Sequence, residues 1–177
     1  ILPTGRVTRF EAERFAAGIA LLGKLFRIKL EYDAAPHGAP KQIVAKFPTD
    51  ALENRAVAVA YHFYWREVRF YRHLPDWARL PIPRCYYGAV DEKGEKFVLL
   101  LEDLQGYTTG DQIHGADERQ VFLVLELLAL MHAQFWGRLS ETHHDWLIDP
   151  RAPWHTGVVQ GAYRVALPKV MRAFAPR

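Results

Sequence analysis

Apolar and polar positions alternate over residues 25–32 (LFRIKLEY), which predicts a β-strand with Arg27, Lys29 and Glu31 on one side. A second run, Ile43-Val44-Ala45-Lys46-Phe47, is apolar and β-branched at its start, with one lysine embedded in it. On a strand, Val44 and Lys46 point to one face, and Ile43, Ala45 and Phe47 to the other. The Pro- and Gly-bearing connection over residues 34–40 is short, so the two strands are expected to be antiparallel. Residues 7–15 mix apolar and charged positions and fit a strand or a short helix equally well. Between them and residue 25 lies a glycine-bounded loop, Gly18 to Gly23.

Over residues 50–74, Val57, Tyr61, Tyr64, Val68 and Tyr71 recur at steps of four and three, which predicts one helix ending before Pro75. Glu67 sits beside that stripe, an acid among aromatics. Residues 81–83 (PIP) read as an extended linker. Residues 84–90 and 96–101 read as two strands joined by a turn at 91–94. The second (KFVLLL) is apolar on both faces, so it is expected to be central and covered. It runs into Glu102-Asp103-Leu104-Gln105-Gly106, after which no strand of comparable strength follows. Asp117 and Gln120 form a capping box ahead of an apolar helix over residues 118–136 that stops at Gly137. Residues 139–153 read as a loop, and residues 162–174 as a further helix interrupted at Pro168. The expected fold is therefore α+β in two lobes: an antiparallel sheet with one inserted helix (residues 1–104), then helices (residues 105–177).

The 177 residues, half of them hydrophobic, suffice for a packed core. A net charge of +3 with interspersed signs gives no case for a nucleic-acid partner. The single cysteine, Cys85, excludes an internal disulfide framework and suits a reducing, cytoplasmic compartment. The apolar run at residues 121–131 is too short for a membrane span. Both ends of the sequence read as cuts in something longer.

Lys46 is the residue that asks for a partner, because an ammonium among apolar neighbours is costly to bury alone. Lys46 and Glu67 can meet if the helix packs over the sheet. A lysine held in this way presents a fixed positive charge to phosphate oxygens. The glycine-bounded loop can bring backbone N–H groups near the same phosphates. The exit of the covered strand at Glu102 offers backbone groups to a base edge. Each feature alone has a plainer explanation: an ordinary half-buried ion pair, a strand turn, a buried strand end. Their order and spacing favour a nucleotide cleft between the lobes.

The ordered segments IVAKFP, WREVRFY, FVLLLEDLQG and LALMHAQFWG resemble the aminoglycoside phosphotransferase-like superfamily, most closely its choline-kinase-like and ecdysteroid-kinase-like branches. These are small-molecule kinases that share the protein-kinase fold. The resemblance implies that Lys46 grips the α- and β-phosphates of ATP and that Glu67 holds Lys46. It also implies that Leu21, Leu22 and Gly23, with Lys24, cover the phosphates, and that backbone atoms of Glu102 and Leu104 bind adenine. The acceptor implied is a small-molecule hydroxyl: aminoglycoside-, choline- or sterol-like. The chemistry further needs a catalytic aspartate and Mg2+ ligands in an H-G-D-x-x-x-x-N loop and on a later aspartate. Residues 143–150 offer His143 and Asp145, but His144 replaces the glycine and Pro150 the asparagine, and the segment follows the apolar helix too closely. No catalytic residue is therefore assigned. The catalytic loop and the Mg2+ ligands are expected beyond Arg177, or are absent, in which case the chain is an inactive kinase-like module that binds a nucleotide or a partner. A metal site from His143, His144, Asp145 and Asp149 competes with a plain solvated loop. Without the rest of a helical lobe, the helix over residues 118–136 is left with apolar sides, which predicts homo-oligomers or poor solubility.

Overall fold

A computed structural model describes residues 5–16, 21–35, 37–74, 78–108, 110–111, 113–141, 145–149 and 151–174. The chain forms two compact units, one up to residue 144 and one from residue 145. The first contains β1 (Val7–Phe15), β2 (Gly23–Tyr32), β3 (Gln42–Pro48), α1 (Leu52–Ala60), α2 (Phe63–His73), β4 (Cys85–Val90), β5 (Phe97–Glu102) and α3 (Glu118–Phe135). The second contains α4 (Pro153–Phe174).

The strands form one five-stranded sheet in the order β1-β2-β3-β5-β4, each neighbouring pair antiparallel. The ambiguous residues 7–15 are thus an edge strand. Their apolar and charged side chains are exposed on both faces, which is why no two-sided pattern marks them. β5, expected to be covered, lies between β3 and β4, and Phe97 and Leu99 are buried. Leu99 joins Ala58, Tyr64, Val68 and Phe97 in the main core, where the Tyr64 ring stacks on Phe97 at 4.4 Å. α2 therefore lies on the sheet face that carries Leu99.

Residues 50–74 are not one helix. The chain breaks between α1 and α2, with His62 in the left-handed region (φ 55°). Ala58 and Tyr64 explain the break, since both are fully buried in the same core. Six positions along a continuous helix would set them about 120° apart, on different faces. The turn at Tyr61–His62 brings both onto the sheet, and Val57, counted in the sequence stripe, is left 45% exposed.

The capping box at the start of α3 is present: Asp117 Oδ1 accepts from Gln120 N at 2.8 Å, and Gln120 Oε1 from Asp117 N at 2.9 Å. Near the other end, Gln134 closes both backbone groups of Arg79, accepting from its N–H at 2.6 Å and donating to its carbonyl at 3.3 Å. α4 begins at Pro153, nine residues earlier than the pattern indicates, and runs through Pro168. Gly157 and Gly161 lower helix propensity there and hide its first half.

Candidate functional site

Cross-strand register sets which side chains share a face. Leu25 pairs with Lys46 and Lys46 with Leu99; Arg27 pairs with Val44 and Val44 with Leu101; Phe15 pairs with Leu25. Directly paired residues project to the same side. Phe15, Leu25, Arg27, Val44, Lys46 and Leu101 therefore belong to the face of Leu99, on which α2 packs.

Lys46 and Glu67 meet there. Lys46 Nζ donates to Glu67 Oε1 at 2.6 Å, with the two side chains 25% and 31% exposed. Half-burial strengthens the pair relative to open solvent while leaving the ammonium reachable. Glu67 is presented by α2 between Tyr64, buried in the core, and Tyr71. Burial pushes the Tyr71 phenol above its ordinary pKa, and the charge of Glu67 adds to the shift. Gly23 makes the arrangement possible. It is the buried first residue of β2, and a Cβ there would lie 2.9 Å from Lys46 Cε and 3.2 Å from Phe47 O. The lysine stem runs through the space that the missing side chain leaves.

The glycine-bounded loop falls partly on residues 17–20, outside the described residues. Its described end is pinned to the helices. Asn54 Nδ2 donates to Leu21 O at 3.1 Å, and the Tyr64 hydroxyl donates to Leu22 O at 2.7 Å. Lys24 Nζ donates to Asp50 Oδ1 at 2.7 Å, and this hydrogen bond holds the Asp50 carboxyl below its ordinary range. Leu21 is exposed and Leu22 packs against the core.

At the exit of β5, Glu102 is held into the sheet by Arg84. Its N–H donates to Arg84 O at 2.8 Å, and its carboxylate accepts from Arg84 N at 3.1 Å. Leu104 is exposed, and its carbonyl accepts from Tyr107 N at 3.2 Å. Between them lies a group the sequence reading did not single out. The Asp103 side chain is only 6% exposed. It accepts from Arg27 Nε at 2.8 Å, from Arg27 Nη2 at 3.4 Å and from Gln42 Nε2. Arg27 also lies over the Phe15 ring, 4.7 Å from its centroid. Burial alone would raise the Asp103 pKa, but the bonds from Arg27 and Gln42 outweigh it and hold the carboxyl below its ordinary value. The same bond raises the Arg27 pKa further. Alternation along residues 25–32 grouped Arg27 with Lys29 and Glu31 but did not relate that face to Lys46, and its partner lies 76 positions away and gave no local signal.

Among the described residues, no group of three or more His, Cys, Asp or Glu side chains is arranged to hold a metal ion. The conjectured metal set includes His143 and His144, which lie outside the described residues, and Asp149 is engaged by Arg151 at 3.0 Å. None of the described helices is long and apolar enough to cross a membrane.

The site is thus a strip of one sheet face, apolar at Phe15, Leu25, Val44 and Leu101, with an ion pair at each end. No curated protein matches the chain. No solved structure matches it either. The sequence pattern of the ecdysteroid kinase-like family matches residues 18–136, a span that holds every element from β2 to α3. That span contains Lys46, Glu67, Arg27 and Asp103, on the antiparallel sheet and helices of a kinase-like N-lobe. The chain belongs to the ecdysteroid kinase-like family, a group related to small-molecule kinases.

Proposed function

We propose that residues 1–104 form the nucleotide-binding part of an ATP-dependent phosphotransferase, and that residues from 105 on begin its acceptor-binding part. The reaction passes the γ-phosphoryl group of ATP to a hydroxyl of a small molecule, aminoglycoside-, choline- or sterol-like, in the cytoplasm. The observation that carries this reading is the Lys46–Glu67 pair at 2.6 Å on a half-exposed sheet face.

A carboxylate fixes the direction of the ammonium but leaves two of its three donors for other acceptors. Lys46 then supplies a preorganised positive charge to the α- and β-phosphates. Leu21, Leu22 and Gly23 cover the phosphates, and Asn54 and Tyr64 hold the carbonyls of Leu21 and Leu22. The apolar strip takes the base, and the backbone of Glu102 and Leu104 reads its edge. Magnesium, when bound, neutralises the phosphate charge.

The test is chemical footprinting of lysines with an amine-acylating reagent, read by peptide mass spectrometry. Saturating ATP is expected to protect Lys46 and to leave Lys29 and Lys41 unchanged. Equal labelling of Lys46 with and without ATP overturns the assignment.

A further inference from the structure

We propose that Arg27 and Asp103 are positioning residues that set the base-reading connector against the sheet and thereby contribute selectivity for a nucleotide over a bare polyphosphate. The inference rests on the nucleotide reading above and deepens it.

Three observations support it. First, β5 ends at Glu102, whose N–H and carboxylate are both committed to Arg84. Pairing within the sheet therefore closes one residue before Asp103. Second, the Asp103 side chain turns back to the sheet and reaches two strands, Gln42 at the start of β3 and Arg27 on β2, one strand further away. Beyond it, residues 104–108 are exposed, and Gly106 turns with φ 92°. A carboxylate only 6% exposed at the root of an exposed connector is costly to place there unless its partners hold it firmly. Third, Arg27 serves two groups at once. Its planar guanidinium forks onto Asp103 and lies over Phe15, an aromatic ring on the same face as Val44 and Leu101. One side chain thus fixes both the connector, which carries the backbone groups for a base edge, and an aromatic wall beside the apolar strip.

Along β3, Lys46 lies on the far side of Val44 from Gln42, the end at which Asp103 is held, and it has a different partner, Glu67. The two ion pairs are therefore separable. Disturbing Asp103 should affect what the base contributes to binding, and disturbing Lys46 what the phosphates contribute.

The experiment titrates residues 1–177 with ATP and with inorganic tripolyphosphate, using the wild type, Asp103→Asn, Arg27→Lys and Lys46→Ala, each checked for folding by circular dichroism. Asp103→Asn keeps the shape and loses the charge, and Arg27→Lys keeps the charge and loses the fork. Either is expected to weaken ATP about tenfold, as loss of a charge-assisted anchor does, with tripolyphosphate changed less than about twofold. Lys46→Ala should weaken both ligands. Equal losses for ATP and tripolyphosphate in a folded Asp103 or Arg27 variant overturn the proposal, as does unchanged ATP affinity. If Lys46→Ala leaves tripolyphosphate binding intact while Asp103→Asn selectively weakens ATP, the lysine reading fails and the positioning role stands. If the wild type binds neither ligand, both fall.

Discussion

Gly23 shows how a residue without a side chain shapes the site. The stem of Lys46 fills its place, and an added methyl would meet Lys46 Cε at 2.9 Å and the Phe47 carbonyl at 3.2 Å. Gly23→Ala is expected to destabilise the fold by about 1–3 kcal/mol, the range of overpacked buried sites. It should also displace the ammonium, which a loss of ATP affinity beyond the loss of stability would reveal. The sequence reading placed Gly23 in the phosphate loop. Its contact with Lys46 depends on strand register, which the bare sequence does not carry. Asp103 has a different signature. Its carboxyl is held below its ordinary pKa, so its contribution to stability is complete above the unfolded value near 4 and fades as pH falls through the lower, folded value. Urea unfolding across that acidic range should show a shallower loss of stability for Asp103→Asn than for the wild type. Identical slopes would mean that the clasp contributes nothing.

At the scale of elements, strong periodic patterns were legible and their junctions were not. The alternation in LFRIKLEY and the apolar run around Lys46 identified β2 and β3, which pair as their short connection requires. The capping box identified the start of α3 to the residue. Asp117→Ala should cost about 1 kcal/mol in thermal unfolding, the worth of such a cap. The break between α1 and α2 was invisible because the stripe Val57, Tyr61, Tyr64 reads as continuous helix, and only the joint burial of Ala58 and Tyr64 shows that it is not. His62 there adopts φ 55°, which a β-branched residue resists. His62→Val is expected to destabilise by about 1–3 kcal/mol, and an unchanged melting temperature would show that the break does not constrain the fold. The Lys46–Glu67 contact itself was foreseen, since a lone lysine in an apolar strand and a lone acid in an aromatic helix stripe each needed the other. The Arg27–Asp103 contact was not, because neither residue looks unusual within its own element.

At the scale of the whole molecule, the sheet and α2 bury a compact core while α3 does not. Val121, Phe122, Leu123, Val124, Leu125 and Leu128 are all exposed, an apolar surface that water solvates poorly. Residues 1–177 are expected to self-associate in light scattering, and Phe122→Glu with Leu125→Glu should reduce that association. A monodisperse wild-type monomer would contradict the expectation. The sequence held the family through the order of its segments, and the fold confirms a kinase-like N-lobe arrangement. The acceptor was not legible because no residue singled out on the sheet face distinguishes one alcohol from another. The role of Lys46 as phosphate anchor is open to calorimetric titration of ATP into the wild type and Lys46→Ala. Removing one partner of a largely buried ion pair also costs stability, so folding of the variant is verified by circular dichroism before titration. Measurable ATP binding is expected in the wild type and at least about tenfold weaker binding in the variant, as loss of a charged hydrogen bond to phosphate produces. Equal affinity in two folded proteins would contradict it.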